Sequence, residues 1–157
     1  MSLQKMRNKD IRYIIVTNRD SEKKAPNNTQ THFVSFLNSP IQCPGCNASV
    51  ELCEITLPVT QSYIETNKFD PIIFDINLHQ VSGVIVDGCE SNVLRRVVTS
   101  ADKLSGSCNI SFEKTYIVPV RLPCIHKFEF TITPISPKYI SFIASGIVQL
   151  TLALHQN

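Results

Sequence analysis

Hydrophobic and polar residues alternate along much of this 157-residue chain, most regularly in its last thirty residues. From 128 to 132 every second residue is apolar. The run 148–154 repeats the pattern with four aliphatic side chains: Val148, Leu150, Leu152 and Leu154. Successive side chains of a β-strand point to opposite faces, so both runs predict half-buried strands. We therefore expect that shortening the chain inside 148–154 removes part of the core.

Strand-like runs recur at short spacing through the rest of the chain, and no amphipathic helix of ordinary length separates them. Turn-forming pairs such as Pro44-Gly45 and Asp87-Gly88 lie between the runs. A short helix is predicted around 60–67. The predicted strands are 11–17, 31–37, 49–57, 71–77, 81–86, 93–99, 114–120, 127–133 and 146–154.

This succession of short strands predicts an all-β fold. The number of strands and the chain length fit a single jelly-roll sandwich of about eight antiparallel strands. A chain of this size forms one domain by the usual size range, and it buries roughly two-thirds of its unfolded surface. We assign the jelly-roll domain to 11–157 and interpret 1–10 as a flexible N-terminal arm.

Composition and charge narrow the classes of function. Hydrophobic residues make up 43% and charged residues 18% of the chain, and the net charge is +2. This composition is typical of a folded protein and lacks the broad basic field of a nucleic-acid-binding protein. Cationic residues cluster only near the start, at Lys5, Arg7, Lys9 and Arg12. Neither a signal peptide nor a transmembrane segment is predicted, since the most apolar stretch, 139–154, is short and interrupted by polar residues.

Six cysteines occur, and only Cys43 and Cys46 have the spacing of metal ligands. A closed zinc site needs a second pair of ligands at similar spacing, and the sequence offers none. Pro44 and Gly45 between the two cysteines instead suit the central positions of a tight turn between strands. We therefore predict no metal site and no cofactor, with Cys43 and Cys46 as the sole candidates for a metal.

The residues that could carry catalysis are scattered. No histidine stands beside a candidate ligand or nucleophile at helical or strand spacing, and His32, next to Phe33, is expected to face solvent. Glu51 and Glu54 fall on opposite faces of an ideal strand, so they could act together only across a bulge. In the pair Arg95-Arg96, we expect one arginine to face solvent and the other to pair with a carboxylate or a partner. Enzyme activity is not predicted.

Five segments in order resemble a known family, the penton or minor capsid proteins of Polinton/Maverick elements, adintoviruses and virophage-like viruses. Each motif is mostly strand alternation plus a turn, and together they cover nearly the whole chain. The segments are 11–41 with its Pro26-Asn27-Asn28-Thr29 turn, 49–60, Val81-Ser82-Gly83 with 93–98, Tyr116 to Val120 with 128–132, and 140–155.

The resemblance implies a structural virion component, assembled inside the host cell. Such a protein is a jelly roll that forms homopentamers at the fivefold vertices of an icosahedral capsid. Its implied partners are the major capsid protein, built of double jelly-roll capsomers, and a vertex spike or a host receptor. On this interpretation the arm reaches beneath neighbouring capsomers, and Lys5, Arg7 and Lys9 are the candidate capsid contacts.

Two other classes of function stay open at the level of sequence. A jelly-roll binding module would recognise a host protein or a glycan through its loops and would remain a monomer or a trimer. An enzyme on a cupin-like barrel would need a metal-binding cluster of histidines and carboxylates, which the scattered histidines do not suggest.

Overall fold

The computed structural model describes residues 10–19, 27–66, 71–104, 107–135, 140–144 and 146–156. These residues contain eleven β-strands, one short α-helix and two 3₁₀ turns, Pro44–Cys46 and Ala101–Leu104. The strands are β1 (Asp10–Thr17), β2 (His32–Gln42), β3 (Ala48–Pro58), β4 (Pro71–Leu78), β5 (Val84–Val86), β6 (Cys89–Ser91), β7 (Val93–Ser100), β8 (Ser107–Ser111), β9 (Ile117–Val120), β10 (Cys124–Pro134) and β11 (Gln149–Gln156). The helix is α1 (Gln61–Thr66).

The strands pair into two large antiparallel sheets and one small hairpin. Sheet A has the order β1-β11-β3, and β8 and β9 both pair with the far side of β3. Sheet B has the order β2-β10-β4-β7, and β5 pairs with β6. The inner faces of the two sheets form one continuous hydrophobic core. The all-β class predicted from the alternation is therefore confirmed as an antiparallel β-sandwich.

The core is built from the inward positions of the alternating strands. Phe128 and Phe130 of β10 are fully buried, and Phe130 stacks on Phe33 of β2 with a ring-centroid distance of 5.4 Å. On β11 the inward side chains Leu150, Leu152 and Leu154 are fully buried as well. Complete burial of each such side chain contributes about 1.5–3 kcal/mol. The prediction that each of the two runs buries its apolar face is thus confirmed.

Most predicted strand positions agree with the structure to within a few residues, and the helix predicted at 60–67 is α1. The sequence prediction missed β6, which has only three residues, and β8, whose alternation of Cys108 and Ile110 with polar residues spans only five residues. It also placed Asp10 in the arm, whereas Asp10 is the first residue of β1. The other arm residues, 1–9, lie outside the described part of the chain.

Strand β2 continues beyond its predicted end at Leu37. Its pairing with β10 jumps from Phe36 opposite Lys127 to Ile41 opposite Ile125, so four residues of β2, 37–40, bulge out opposite one residue of β10. Pro40 lies in this bulge, where the N–H that proline lacks is not required by the ladder.

A smaller bulge in β3 corrects the expectation for the two glutamates. Thr151 of β11 pairs with Glu54 and the next residue, Leu152, pairs with Leu52, which leaves Cys53 as an extra residue. The bulge shifts the alternation by one, so Glu51 and Glu54 both leave the core side and lie on the outer face of sheet A. The opposite faces expected for an ideal strand therefore do not occur, because β3 contains the bulge that was needed to bring the two glutamates to one face.

Two asparagines fasten the ends of the connection between β1 and β2. Asn18 exchanges two hydrogen bonds with Val148: its backbone N–H donates to the carbonyl at 3.2 Å, and its Oδ1 accepts from the amide at 2.9 Å. The Asn28 side chain accepts from the amide of Val34 and donates to the carbonyls of Val34 and Asn18. The two residues therefore join the end of β1, the beginning of β2 and the approach to β11. We call this arrangement the asparagine latch.

Candidate functional site

The edge strand β1 carries an exposed apolar stripe on the outer face of sheet A. Its outward side chains Ile11, Tyr13 and Ile15 are 47%, 72% and 60% exposed. They lie opposite His155, Ala153 and Thr151 of β11. Within the described residues β1 pairs only with β11, and no described strand pairs with its other edge. Edge strands are ordinarily protected by charge, proline or bulges. Strand β1 has charges at Asp10 and Arg12 on one face, whereas its outward side chains Ile11, Tyr13 and Ile15 carry no charge. We call Ile11, Tyr13 and Ile15 the β1 stripe.

The opposite flank of the sandwich contains an open groove of about 460 Å³, a volume in the range of small-ligand sites. It lies between the β5–β6 hairpin, the beginning of β7 and the segment that leads into β9. Most of its lining surface is apolar, and three cationic residues, Arg95, Arg96 and Lys114, are part of the lining. We call it the valine groove, defined by Val84, Val86, Val93, Arg95, Lys114 and Tyr116.

Packing and hydrogen bonds hold the wall of the valine groove in place. The guanidinium of Arg95 lies over the ring of Phe112, 4.3 Å from its centroid, and Nη1 donates to the carbonyl of Lys114 at 2.7 Å. The hairpin is held at its other side by an ion pair between Glu90 and Arg121. Arg95 therefore acts mainly as a brace for the segment before β9.

The neighbouring Arg96 also lines the groove, and it has the carboxylate partner that the sequence analysis expected for one of the two arginines. Its Nε and Nη2 donate to the two carboxylate oxygens of Asp75 at 2.8 and 2.9 Å. The hydrogen bond and the charge of Asp75 raise the pKa of Arg96. Asp75 is buried, so the fork of Arg96 stabilises a carboxylate that has little contact with water.

A polar cluster lies on the outer face of sheet B, around Glu129. His79 and His32 approach one carboxylate oxygen at 3.6 and 3.9 Å, and Lys127 donates to the other at 3.1 Å. Partial burial raises the pKa of Glu129, but the hydrogen bond from Lys127 and the nearby charges outweigh burial and hold that pKa below its ordinary value. A carboxylate with a lowered pKa is a poor general base at neutral pH, so Glu129 itself is not suited to that role.

The two glutamates of β3 contact different side chains. Glu51 lies 3.4 Å from His155, whereas Glu54 accepts a hydrogen bond from Asn109. Although the bulge brings Glu51 and Glu54 to one face, each engages a different partner. His32 is exposed and its neighbour Phe33 is fully buried, which confirms the orientation predicted from alternation.

The candidate metal ligands Cys43 and Cys46 flank a short 3₁₀ turn between β2 and β3, as predicted from Pro44-Gly45. Gly45 has φ of 69°, the left-handed conformation that glycine adopts without a steric penalty. The two thiols contact different carbonyls, those of Ile41 and Arg121. No group of three histidine, cysteine or acidic side chains is placed to hold a metal ion among the residues with described positions.

Cys124 is a neighbour of this pair that the sequence spacing did not reveal. It lies opposite Gln42 in the β2–β10 ladder, and Gln42 Nε2 approaches its sulfur at 3.3 Å. Burial raises the pKa of Cys43, and the nearby Cys124 and Cys46 raise it further. A thiol with a raised pKa is a weak nucleophile and a weak metal ligand at neutral pH.

The candidate capsid contacts Lys5, Arg7 and Lys9 fall in 1–9, outside the described residues. The sequence analysis missed the β1 stripe and the valine groove. A signal for the stripe exists, since β1 has apolar residues at both parities, a pattern typical of strands covered on both faces. The groove has no comparable signal, because its lining comes from three separate parts of the chain.

The chain matches no known protein-family model, and a search of the curated proteins gave no match. In the described part of the chain, no helix has both the length and the hydropathy to cross a membrane.

Proposed function

We propose that this chain is a penton-type minor capsid protein: a single jelly roll that forms pentamers at the fivefold vertices of an icosahedral capsid. The sequence resemblance suggested this role, and the strand order of the sandwich is the observation that supports it most strongly. Both the jelly-roll topology and the capsid role are proposed, since the fold itself is established as an antiparallel β-sandwich.

The strand order fits the winding of a jelly roll. The successive long strands β1, β2, β3 and β4 alternate between a position in sheet A and a position in sheet B. An early strand pairs with a late one in both sheets, because β1 pairs with β11 and β2 pairs with β10. Eight strands wound as two Greek keys produce such an arrangement. The short β5–β6 hairpin is an insertion between β4 and β7 in this scheme.

The two flanks of the sandwich also suit a subunit of a ring. A cyclic assembly with more than two members needs two different contact surfaces on each subunit, because each contact is heterologous. The β1 stripe lies at one edge of sheet A. The valine groove lies on the opposite flank, between β7 of sheet B, the β5–β6 hairpin and the segment that leads into β9. Neither surface requires a cofactor or a catalytic group.

In this role the pentamer occupies the vertices of the virion capsid and contacts double jelly-roll capsomers of the major capsid protein. Segment 1–9, with Lys5, Arg7 and Lys9, reaches beneath those neighbours. Deletion of residues 1–9 is then expected to reduce incorporation into capsids and to leave the sandwich folded. Unchanged incorporation would contradict this function of the arm.

The proposed function is tested by the assembly state of the pure protein. Native mass spectrometry and sedimentation velocity over a concentration series, up to the solubility limit, should show a species of five subunits. A protein that stays a monomer, a dimer or a trimer at every concentration contradicts the vertex role. A stable monomer or trimer would instead fit the jelly-roll binding module.

A further inference from the structure

We infer that the ring contact is made head to tail, by insertion of the β1 stripe of one copy into the valine groove of the next copy. This inference rests on the proposed function, since it assigns the surfaces through which the pentamer would form. The partner it commits to is a second copy of this chain.

The positions of the two surfaces provide the first argument. Strand β1 is one edge of sheet A, and β9, which continues from the Tyr116 side of the groove, lies along the other side of β3. A copy that presents the stripe at one flank can therefore receive the stripe of another copy at the opposite flank. Contacts of this kind repeat in one rotational sense, and they close into a ring when the rotation allows it.

The shapes and polarities of the two surfaces provide the second argument. Tyr13 projects furthest from β1, with 72% of its side-chain surface exposed, and it is flanked by two exposed isoleucines. The valine groove is concave, mostly apolar and large enough for an aromatic side chain. Aromatic side chains that fill such pockets dominate the energetics of many protein–protein contacts.

Charged residues border both surfaces. Asp10 and Arg12 are exposed on β1, on the face of the strand opposite to the stripe, and three cationic residues, Arg95, Arg96 and Lys114, line the groove. Asp10 and Lys114 have no ion-pair partner among the residues that the structure describes, so one pair of opposite charges is available to the contact. An ion pair of this kind fixes the register of an interface more than it adds affinity.

The test uses one variant of each surface and a matched control. Tyr13→Asp places a charge in the stripe, and Val86→Glu places a charge in the groove. Val98→Glu is the control, because Val98 is an exposed valine on β7, 67% accessible and outside the groove lining. Circular dichroism and thermal unfolding of the monomeric proteins establish that all three variants are folded. Lys114→Glu is a second groove variant in case Val86→Glu fails to fold.

Sedimentation velocity and native mass spectrometry then report assembly. We expect Tyr13→Asp and Val86→Glu each to weaken self-association by at least about 30-fold, the effect typical of losing a central contact residue. Val98→Glu should assemble like the wild type. An equimolar mixture of the two variants should form 1:1 heterodimers and nothing larger, because each pair retains one intact stripe and one intact groove.

The outcomes separate this inference from the proposed function. Pentamers that survive both substitutions overturn the stripe-to-groove contact and leave the vertex role standing. Heterodimers in the mixture, with wild-type assemblies that never reach five subunits, support the contact and contradict the vertex role. Wild-type dimers that are lost in Tyr13→Asp but persist in Val86→Glu indicate pairing of two β1 edges and overturn the inference. A wild type that is monomeric at every concentration overturns both.

Discussion

Strands β1 and β11 pair along their whole length, yet they use the same alternation in different ways. On β11 the inward residues are leucines and most outward residues are polar, as in a strand with one face on the core. On β1 the inward positions Ile14 and Val16 are apolar, but so are the outward positions of the β1 stripe. The alternation of β11 matches its place in the sandwich, with its apolar side chains in the core. The alternation of β1 leaves the three apolar side chains of the β1 stripe outside the core.

This difference distinguishes residues that stabilise the fold from residues that are available for binding. Strand β11 lies between β1 and β3, so both its edges and its inner face contribute to the sandwich. Strand β1 has one free edge in the described structure and an outer face in water. Substitutions in β11 should therefore act on the free energy of unfolding, and those on the outer face of β1 should act on association.

The largest expected effect comes from removing β11. Truncation after Gln149 deletes the three buried leucines and separates β1 from β3, so the loss exceeds the roughly 5–15 kcal/mol by which domains are stable. We expect an unfolded or insoluble product, judged by circular dichroism and the dispersion of amide resonances. A soluble, folded product would contradict the central role assigned to β11.

A single substitution on each strand tests this difference between β11 and β1. Leu152→Ala removes a fully buried side chain from β11 and should cost about 2–5 kcal/mol, because the packed core cannot close the cavity completely. Ile15→Ala on β1 removes a side chain that is mostly exposed and should change stability by about 0.5 kcal/mol or less. Urea denaturation of both variants at a concentration that keeps them monomeric measures the contrast. Equal losses would show that the outer face of β1 is part of the folding core.

The approach to β11 depends on close packing at Gly146. A Cβ added there would overlap the ring of Pro58 at the end of β3, and Gly146 also donates to the carbonyl of Ile143. Gly146→Ala should therefore destabilise the protein by about 1–3 kcal/mol in denaturant unfolding. Gly88→Ala is the comparison, since Gly88 has open space around it and only its positive φ opposes a side chain, at about 1 kcal/mol. A smaller loss at Gly146 than at Gly88 would contradict the steric argument.

The smallest expected effect concerns Glu129 on the outer face of sheet B. Its pKa is lower in the folded protein than in the unfolded chain, so its stabilising contribution is complete above the unfolded pKa of about 4.3 and is lost as pH falls through the folded pKa. Glu129→Gln should therefore lower stability at neutral pH by about 1 kcal/mol or less and flatten the decline between roughly pH 5 and 3. Urea midpoints across this range measure the effect. Glu113→Gln, which removes an exposed carboxylate without an ion-pair partner in the described structure, serves as the control and should leave the slope nearly unchanged.

Period-two alternation predicted the long strands and the all-β class because it reports burial on one face, the property that the core imposes. It failed where other constraints act. The bulge at Cys53 depends on pairing with β11, and the four-residue bulge that contains Pro40 depends on pairing with β10. Strand β8 pairs only with β3 among the described strands, and its alternation spans just five residues, too few to be distinguished from a loop by sequence. The valine groove is assembled from segments distant in sequence, so no local pattern could predict it.

The asparagine latch also has a consequence for engineering. Asn18 and Asn28 fix the two points between which segment 19–27 connects β1 to β2. The entropy of closing a loop grows slowly with its length, by about 0.6 kcal/mol for each doubling. A foreign peptide grafted between these two residues should therefore be tolerated at small cost, and an assembly of identical subunits would display one copy of that peptide per subunit.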